Sequence, residues 1–177
     1  IITGAARGLG RAYALAFAAE GANVVVNDIG TSLGGEGRDT SAADGVVSEI
    51  KAAGGEAISC AESVATPEGA AAIIQSAIQT WGRIDILIHN AGNVRYGMIA
   101  DLSIDDFNAV TDVHFKGGFY LAKAAMPQMI AAKYGLTKDM LDEFGYESQV
   151  RGARAAKSGA FDAEIVPIDV TTHDGAA

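Results

Sequence analysis

Ile1-Ile2-Thr3-Gly4-Ala5-Ala6-Arg7-Gly8-Leu9-Gly10-Arg11 is the stretch on which the reading of the fold turns. Residues 1–3 read as the tail of a buried strand, and the Ala-rich residues 11–20 as a helix that stops at Gly21, where a C′ glycine is favoured. Three glycines between a strand and a helix have a mechanical reason. The first permits a tight turn, and the others let backbone and helix come close to a pyrophosphate. The helix N-terminus then offers free N–H groups and a partial positive charge to that anion. The context supports the motif. Asn23-Val24-Val25-Val26-Asn27 is a β-branched run typical of a parallel strand covered on both faces, and it ends at Asp28, about 18 positions beyond Gly10. A carboxylate there accepts hydrogen bonds from both ribose hydroxyls of NAD and repels the extra phosphate of NADP. Arg7 pulls the other way, since a loop cation can receive a 2′-phosphate. The carboxylate stands at the contact point, so the expected cofactor is NAD.

Working outward, a Gly-rich loop follows over residues 30–37, then a helix over 41–53 and a third strand over 56–60. Pro67 suits the first turn of the next helix, which runs to Trp81. Ile84-Asp85-Ile86-Leu87-Ile88-His89 reads as a fourth strand, and Asn90-Ala91-Gly92 opens a loop at its end. One long helix is expected over 104–133, with Ser103 as N-cap and Pro127 as a kink point. Strands alternating with helices at this spacing predict an α/β protein with a Rossmann-type doubly wound parallel sheet, truncated. Beyond Lys133-Tyr134-Gly135 the pattern changes to a charged amphipathic helix over 137–158, a stop at Gly159 and a strand over 163–170 carrying Pro167. The expected division is residues 1–133, the dinucleotide-binding half, and residues 134–177, a helix and strand with no core of their own.

Composition sets limits. The 177 residues are 49% hydrophobic and 20% charged, the balance of a globular chain long enough for one sizeable core. A net charge of -9 with no Lys/Arg cluster argues against nucleic acid as a partner. Apolar stretches such as residues 12–19 fall far short of the ~20 residues of a membrane span, so no membrane partner is expected. A single Cys60 excludes an internal disulfide framework. The abrupt start at Ile1 shows no cleavable signal, which makes the cytoplasm the expected compartment. The absent Met and strand-like start read as a first strand that has lost its beginning, hence a fragment. The three histidines lack ligand spacing, and no metal is expected. In His173-Asp174-Gly175 the Asp-Gly pair is a turn signal.

The spacing Thr3-Gly4-x-x-x-Gly8-x-Gly10, together with His89-Asn90-Ala91-Gly92, resembles the short-chain dehydrogenase/reductase family. Within it, residues 8–15, Val26-Asn27-Asp28-Ile29-Gly30 and residues 43–50 are similar to the (3R)-hydroxyacyl-CoA dehydrogenase unit of multifunctional enzymes, a likeness covering about residues 1–135. The resemblance implies hydride transfer at the hydroxyl of a 3-hydroxyacyl-CoA, acyl-CoA as substrate partner, and homo-oligomers. It places Gly4, Gly8, Leu9 and Gly10 around the pyrophosphate, Asp28 on the adenosine ribose, and Ser63, Val64, Asn90, Ala91 and Gly92 on the adenine side, with Arg7 a further cofactor-binding candidate in the loop. His114, in Val113-His114-Phe115-Lys116-Gly117, falls where the family's active site carries Asn, and the hydroxyacyl-CoA group commonly has His there.

The family next needs a strand bearing Ser and a helix bearing Tyr-x-x-x-Lys, whose tyrosine exchanges the proton and whose lysine lowers the tyrosine pKa and holds the nicotinamide ribose. Neither follows. Tyr134-Gly135-Leu136-Thr137-Lys138 matches by spacing alone. On an unbroken helix Tyr134 lies roughly 30 Å from His114, too far to share a substrate. Residues 132–177 resemble instead a stretch of a thiolase that contains none of that family's catalytic motifs, joined at a Lys-Tyr-Gly common to both families. The alternatives to an oxidoreductase are therefore an inactive dinucleotide-binding module, a chimeric fragment, or an acyl-CoA acetyltransferase fragment. The module reading asks whether residues 164–170 join the sheet at an outer edge, the position Pro167 requires.

Overall fold

In the computed structural model the described residues are 1–158, apart from Leu33, Gly35, Glu36, Arg38, Leu136 and Thr137. They fall into two units, Ile1–Tyr134 and the part of Gly135–Ala177 that is described. The first alternates β1 (Ile2–Thr3), α1 (Gly8–Ala19), β2 (Val24–Asn27), α2 (Ser41–Ala52), β3 (Ala57–Cys60) and α3 (Pro67–Trp81). It closes with α4 (Ile104–Thr111), a π-turn (Asp112–Lys116) and α5 (Gly117–Tyr134). In the second unit α6 (Lys138–Lys157) is a charged helix with an exposed Arg151–Glu147 ion pair at 2.7 Å, a contact that contributes little. The expected Gly159 stop and the strand over 163–170 lie outside the described residues.

All strand pairings are parallel, in the order β1-β2-β3, with Ile2 opposite Val26 and Val24 opposite Ala57. The central run of three valines explains how one strand serves two cores. Val24 and Val26 face a cluster with Ala14 of α1 and Val46 and Ile50 of α2, while Val25 faces Ile73 and Ile74 of α3 and Leu121 of α5. Helices thus cover both faces, as the apolar character of β2 predicts.

Residues 84–89 correct the expectation of a fourth full strand. They approach the free edge of β1, where Ile88 N–H donates to Ile1 O (2.9 Å) and Thr3 N–H donates to Ile88 O (3.0 Å). The parallel pairing is confined to the Ile2–Ile88 bridge. β1 offers only Ile2 and Thr3 as partners, too short a rail for a six-residue ladder. The lateral order is nevertheless β3-β2-β1-(84–88), with the chain changing sides at β1.

The α-amino group of Ile1 donates to Ile86 O at 2.8 Å. Burial pushes its pKa down from 8.0 to about 6, against a smaller upward pull from Asp85. Beside it lies a hollow of about 330 Å3 walled by Val24, Val25, Ala77, Trp81 and Ile84. Among the described residues no helix is long and apolar enough to cross a membrane.

The Ser103 cap and the first-turn Pro67 read from sequence are in place, and Thr66 adds a second cap. Thr66 Oγ1 accepts from Gly69 N–H (3.1 Å) beside Pro67, and Ser103 Oγ accepts from Asp106 N–H (3.0 Å). Such caps stabilise a helix by about 1 kcal/mol. The helix expected over 104–133 is instead interrupted by the π-turn, a single wide turn of the kind often found at functional sites. Pro127 sits inside α5, which continues to Tyr134.

Candidate functional site

Every segment that leaves the sheet at a strand's C-terminal end contributes to one cleft of about 620 Å3, at the point where the chain changes sides. In open α/β sheets this crevice is where ligands bind. Of the residues singled out from sequence, Gly4, Arg7, Gly8, Leu9, Asp28, Ser63, Val64, Asn90, Ala91 and Gly92 all line it. Gly10 and His114 do not.

Thr3 builds the floor. Its Oγ1 accepts from the backbone N–H groups of Asn90 (3.1 Å) and Ala91 (3.0 Å). Asn90 answers by donating through Nδ2 to the carbonyl oxygens of Thr3 (3.1 Å) and Gly4 (3.0 Å). The glycine turn and the loop after residue 89 are thereby stitched face to face. Gly10 stands behind this seam. A Cβ there would lie 2.1 Å from Gly4 O and 2.6 Å from Asn90 Nδ2, so only hydrogen fits.

The mouth is suited to an anion. Gly8, at φ +54°, would point a Cβ into open space, which leaves the backbone approachable. Helices α2, α3 and α4 each carry an acid in the first turn, whereas α1 carries none and has no side-chain cap. Its first N–H groups and the positive end of its dipole therefore face the cleft uncompensated, which is the condition for holding a phosphate. A pyrophosphate fits this cradle.

Asp28 occupies the neighbouring corner. Its Oδ2 accepts from Ala6 N–H (3.0 Å) and its Oδ1 from Gly30 N–H (2.8 Å), so the carboxylate is held at the edge of the phosphate turn with lone pairs to spare. Asn27 Nδ2 donates to Cys60 O (3.0 Å) and Glu62 O (2.9 Å), tying the ends of β2 and β3 together beneath it.

On the far wall, Arg95 donates to Gly34 O and Val94 O and pairs through Nε with Asp106 Oδ1 at 3.1 Å. The Asp106 carboxyl is lowered below its usual value, first by the Ser103 hydroxyl and also by Arg95. Asp112, in the π-turn, pairs with Lys116 Nζ at 2.7 Å and raises the Lys116 pKa. The roles of Thr3, Asn27, Arg95 and Asp112 escape a sequence reading, because they depend on partners elsewhere along the chain. Thr3 and Asn27 stand inside the quoted motifs, which is the one signal that could have flagged them. His114 lies behind the loop. Its ring sits where a Cβ on Gly92 would be 2.7 Å from Cε1, and its Nε2 is 2.9 Å from Asn93 O. Tyr134 ends the same helical run some twenty positions on, roughly 30 Å away at 1.5 Å per residue.

Residues 1–137 match the family described as short chain dehydrogenase. This chain belongs to that family. Among curated short-chain dehydrogenase relatives, the peroxisomal hydratase-dehydrogenase-epimerase of Saccharomyces cerevisiae is 50% identical over 135 residues, which is 76% of this chain and 15% of that protein. A putative short-chain type dehydrogenase/reductase of Mycobacterium tuberculosis is 44% identical over 135 residues, covering 76% of this chain and 47% of its own length. A solved short chain dehydrogenase from Mycobacterium avium superposes with a TM-score of 0.68 at 49% identity, over 77% of this chain and 49% of that one. A metagenomic short-chain oxidoreductase solved in complex with NADP gives 0.66 at 34% identity, over 75% and 56%. The chain therefore spans about half or less of the short-chain relatives it matches. The family is one of oxidoreductases that bind a nicotinamide dinucleotide. The name of the yeast relative is peroxisomal, so these likenesses lend no support to a cytoplasmic location.

Proposed function

We propose that this chain forms the dinucleotide-binding part of an NAD-dependent short-chain oxidoreductase acting at the hydroxyl of a 3-hydroxyacyl-CoA. We also propose that the 177-residue polypeptide binds the dinucleotide without turning it over. The observation that carries the reading is the Asp28 carboxylate fastened to Ala6 N–H at the rim of an uncapped α1. Gly4, Gly8 and the first amides of α1 hold the pyrophosphate, and Asp28 accepts from the adenosine ribose. Ser63, Val64 and the 90–92 segment border the adenine. When bound, NAD+ would accept the hydride from the hydroxyl-bearing carbon, the hydroxyl proton leaving to a base. Hydroxyacyl-CoA as substrate class draws on the likeness to hydratase-dehydrogenase-epimerases. The reading of no turnover rests on the sequence, in which no strand bearing Ser and no helix bearing Tyr-x-x-x-Lys follows His114 in the family's order, and which thus offers hydride transfer no proton partner.

Calorimetric titration with NADH and NADPH, alongside a 3-hydroxyacyl-CoA oxidation assay, tests both parts. NADH binding with no turnover is expected, and no binding of either dinucleotide would refute the assignment. Cofactor choice is checked with Asp28→Asn, which keeps the shape and removes the charge that repels a 2′-phosphate. The ratio of NADPH to NADH affinity is expected to rise about tenfold, equivalent to ~1.4 kcal/mol. An unchanged ratio would remove Asp28 from the specificity argument.

A further inference from the structure

His89 stands one residue before the cleft loop, and nothing in the dinucleotide reading uses it. Its surroundings fix the state of its ring. Thr3 Oγ1 already accepts two N–H bonds, from Asn90 and Ala91. Both hydroxyl lone pairs are then spoken for, and the remaining capacity of that hydroxyl is its own hydrogen. The group next to it is His89 Nδ1, at 3.3 Å. Thr3 therefore donates and Nδ1 accepts, which puts the His89 proton on Nε2. That nitrogen lies 3.3 Å from the carbonyl oxygen of His114, inside the π-turn. The ring is a rigid spacer with an acceptor at one end and a donor at the other, set between the phosphate turn and the π-turn.

The fit around it is specific. A Cβ on Gly118 would come within 3.3 Å of His89 Cδ2, and a Cβ on Gly92 within 2.7 Å of His114 Cε1, so a glycine opposite each ring makes room for it. The circuit then closes on the cleft. His114 Nε2 lies 2.9 Å from Asn93 O and 3.2 Å from Asn93 N, so the ring meets the Asn93 backbone whichever tautomer it adopts, and Asn93 borders the same cleft as Asn90 and Ala91.

We propose that His89 is a positioning residue: held as its Nε2–H tautomer by Thr3, it couples the floor of the dinucleotide cleft to the π-turn that carries His114. Filling the cleft against Gly4 and Ala91 then bears on Thr3, and through His89 on where the His114 backbone and ring sit. The coupling rests on the dinucleotide reading above, whereas the tautomer does not.

The test uses the full chain labelled with 15N at its three histidines. Without ligand, the His89 ring is expected to show one protonated and one bare nitrogen in the Nε2–H pattern, retained in Thr3→Ser. An Nδ1–H pattern, or fast exchange between tautomers in the wild-type chain, would overturn the proposal. With NADH added, the His114 ring signals are expected to move in the wild type and to stay within the line width in His89→Leu. Kd for NADH should weaken about fivefold in His89→Leu, the effect of one lost hydrogen bond, and recover in His89→Gln, whose amide keeps a donor and an acceptor. Equal movement of His114 in wild type and His89→Leu defeats the coupling. If His89→Leu fails to fold, the wild-type tautomer and His89→Gln decide the matter. A chain that shows the expected tautomer but binds no NADH defeats the dinucleotide reading and the coupling, and leaves the Thr3–His89–His114 wiring standing.

Discussion

Gly10→Ala is expected to abolish measurable NADH binding and to lower stability by about 3 kcal/mol, the upper part of the range for overpacking a tight interior. The added methyl would stand 2.1 Å from Gly4 O, 2.8 Å from Gly4 C and 2.6 Å from Asn90 Nδ2. Two of these are backbone atoms, and the third belongs to a side chain held by two hydrogen bonds to the carbonyls of Thr3 and Gly4. Relief requires α1 to retreat from the turn, carrying its N-terminal amides away from the cleft, or requires the Asn90 clamp to open. Either movement dismantles the anion cradle. Gly8→Ala makes the useful contrast. Its methyl meets nothing within 4 Å, so the effect is limited to the strain of a non-glycine residue at φ +54°, about 1 kcal/mol. Urea titration and calorimetry on the two variants check the pair. A Gly10→Ala chain that binds NADH with wild-type affinity would mean that α1 does not depend on this contact.

A chain that begins with the free amine of Ile1 is expected to lose about 2 kcal/mol of stability as the pH falls from 8 to 6. The folded state depresses the pKa of this amine from 8.0 to about 6, chiefly by burial. Between those values the unfolded chain holds a proton that the folded chain has released, so stability rises with pH across the window. Below about pH 6 both states are protonated and the full penalty of burying the charge remains. Above about pH 8 neither is protonated and the penalty vanishes. Two units at about 1.36 kcal/mol each set the limit reached well outside the window, and about 2 kcal/mol of it falls between pH 8 and 6, where the amine is half-titrated in one state at each end. Acetylating Ile1 removes the charge while leaving an N–H for Ile86 O. The difference between acetylated and free chains, followed by urea titration from pH 5.5 to 8.5, should grow toward acid. Parallel curves would show that the amine escapes into water.

How much of this could be read from the chain alone depends on how far apart the cooperating residues lie. The glycine turn, β2 and Asp28 fall within some thirty positions, and their spacing reports a geometry that the fold reproduces. The Val pattern likewise announces a strand covered on both sides, and Pro67 and Ser103 announce helix starts because a first turn is local chemistry. Residues 84–89 were misread because a run of Ile and Leu reports burial and says nothing about whether a neighbour is long enough to pair with. The π-turn escaped because one wide turn leaves the apolar repeat of residues 104–133 almost unaltered. Thr3 opens the glycine motif, but the role of its hydroxyl in the floor of the cleft is silent in sequence since its partners arrive 87 and 88 positions later.

That same span has a bearing on how the molecule is made. Pairing Ile2 with Val26, or Val24 with Ala57, closes short local crossovers. Bringing Asn90 back to Thr3 closes most of the unit, and the entropic penalty of a closure grows with the length of chain it encloses. During synthesis the phosphate turn emerges some eighty residues before the loop that completes its floor. The capacity to hold a nucleotide is in this sense acquired late, although the residues that advertise it leave the ribosome well before the loop they wait for.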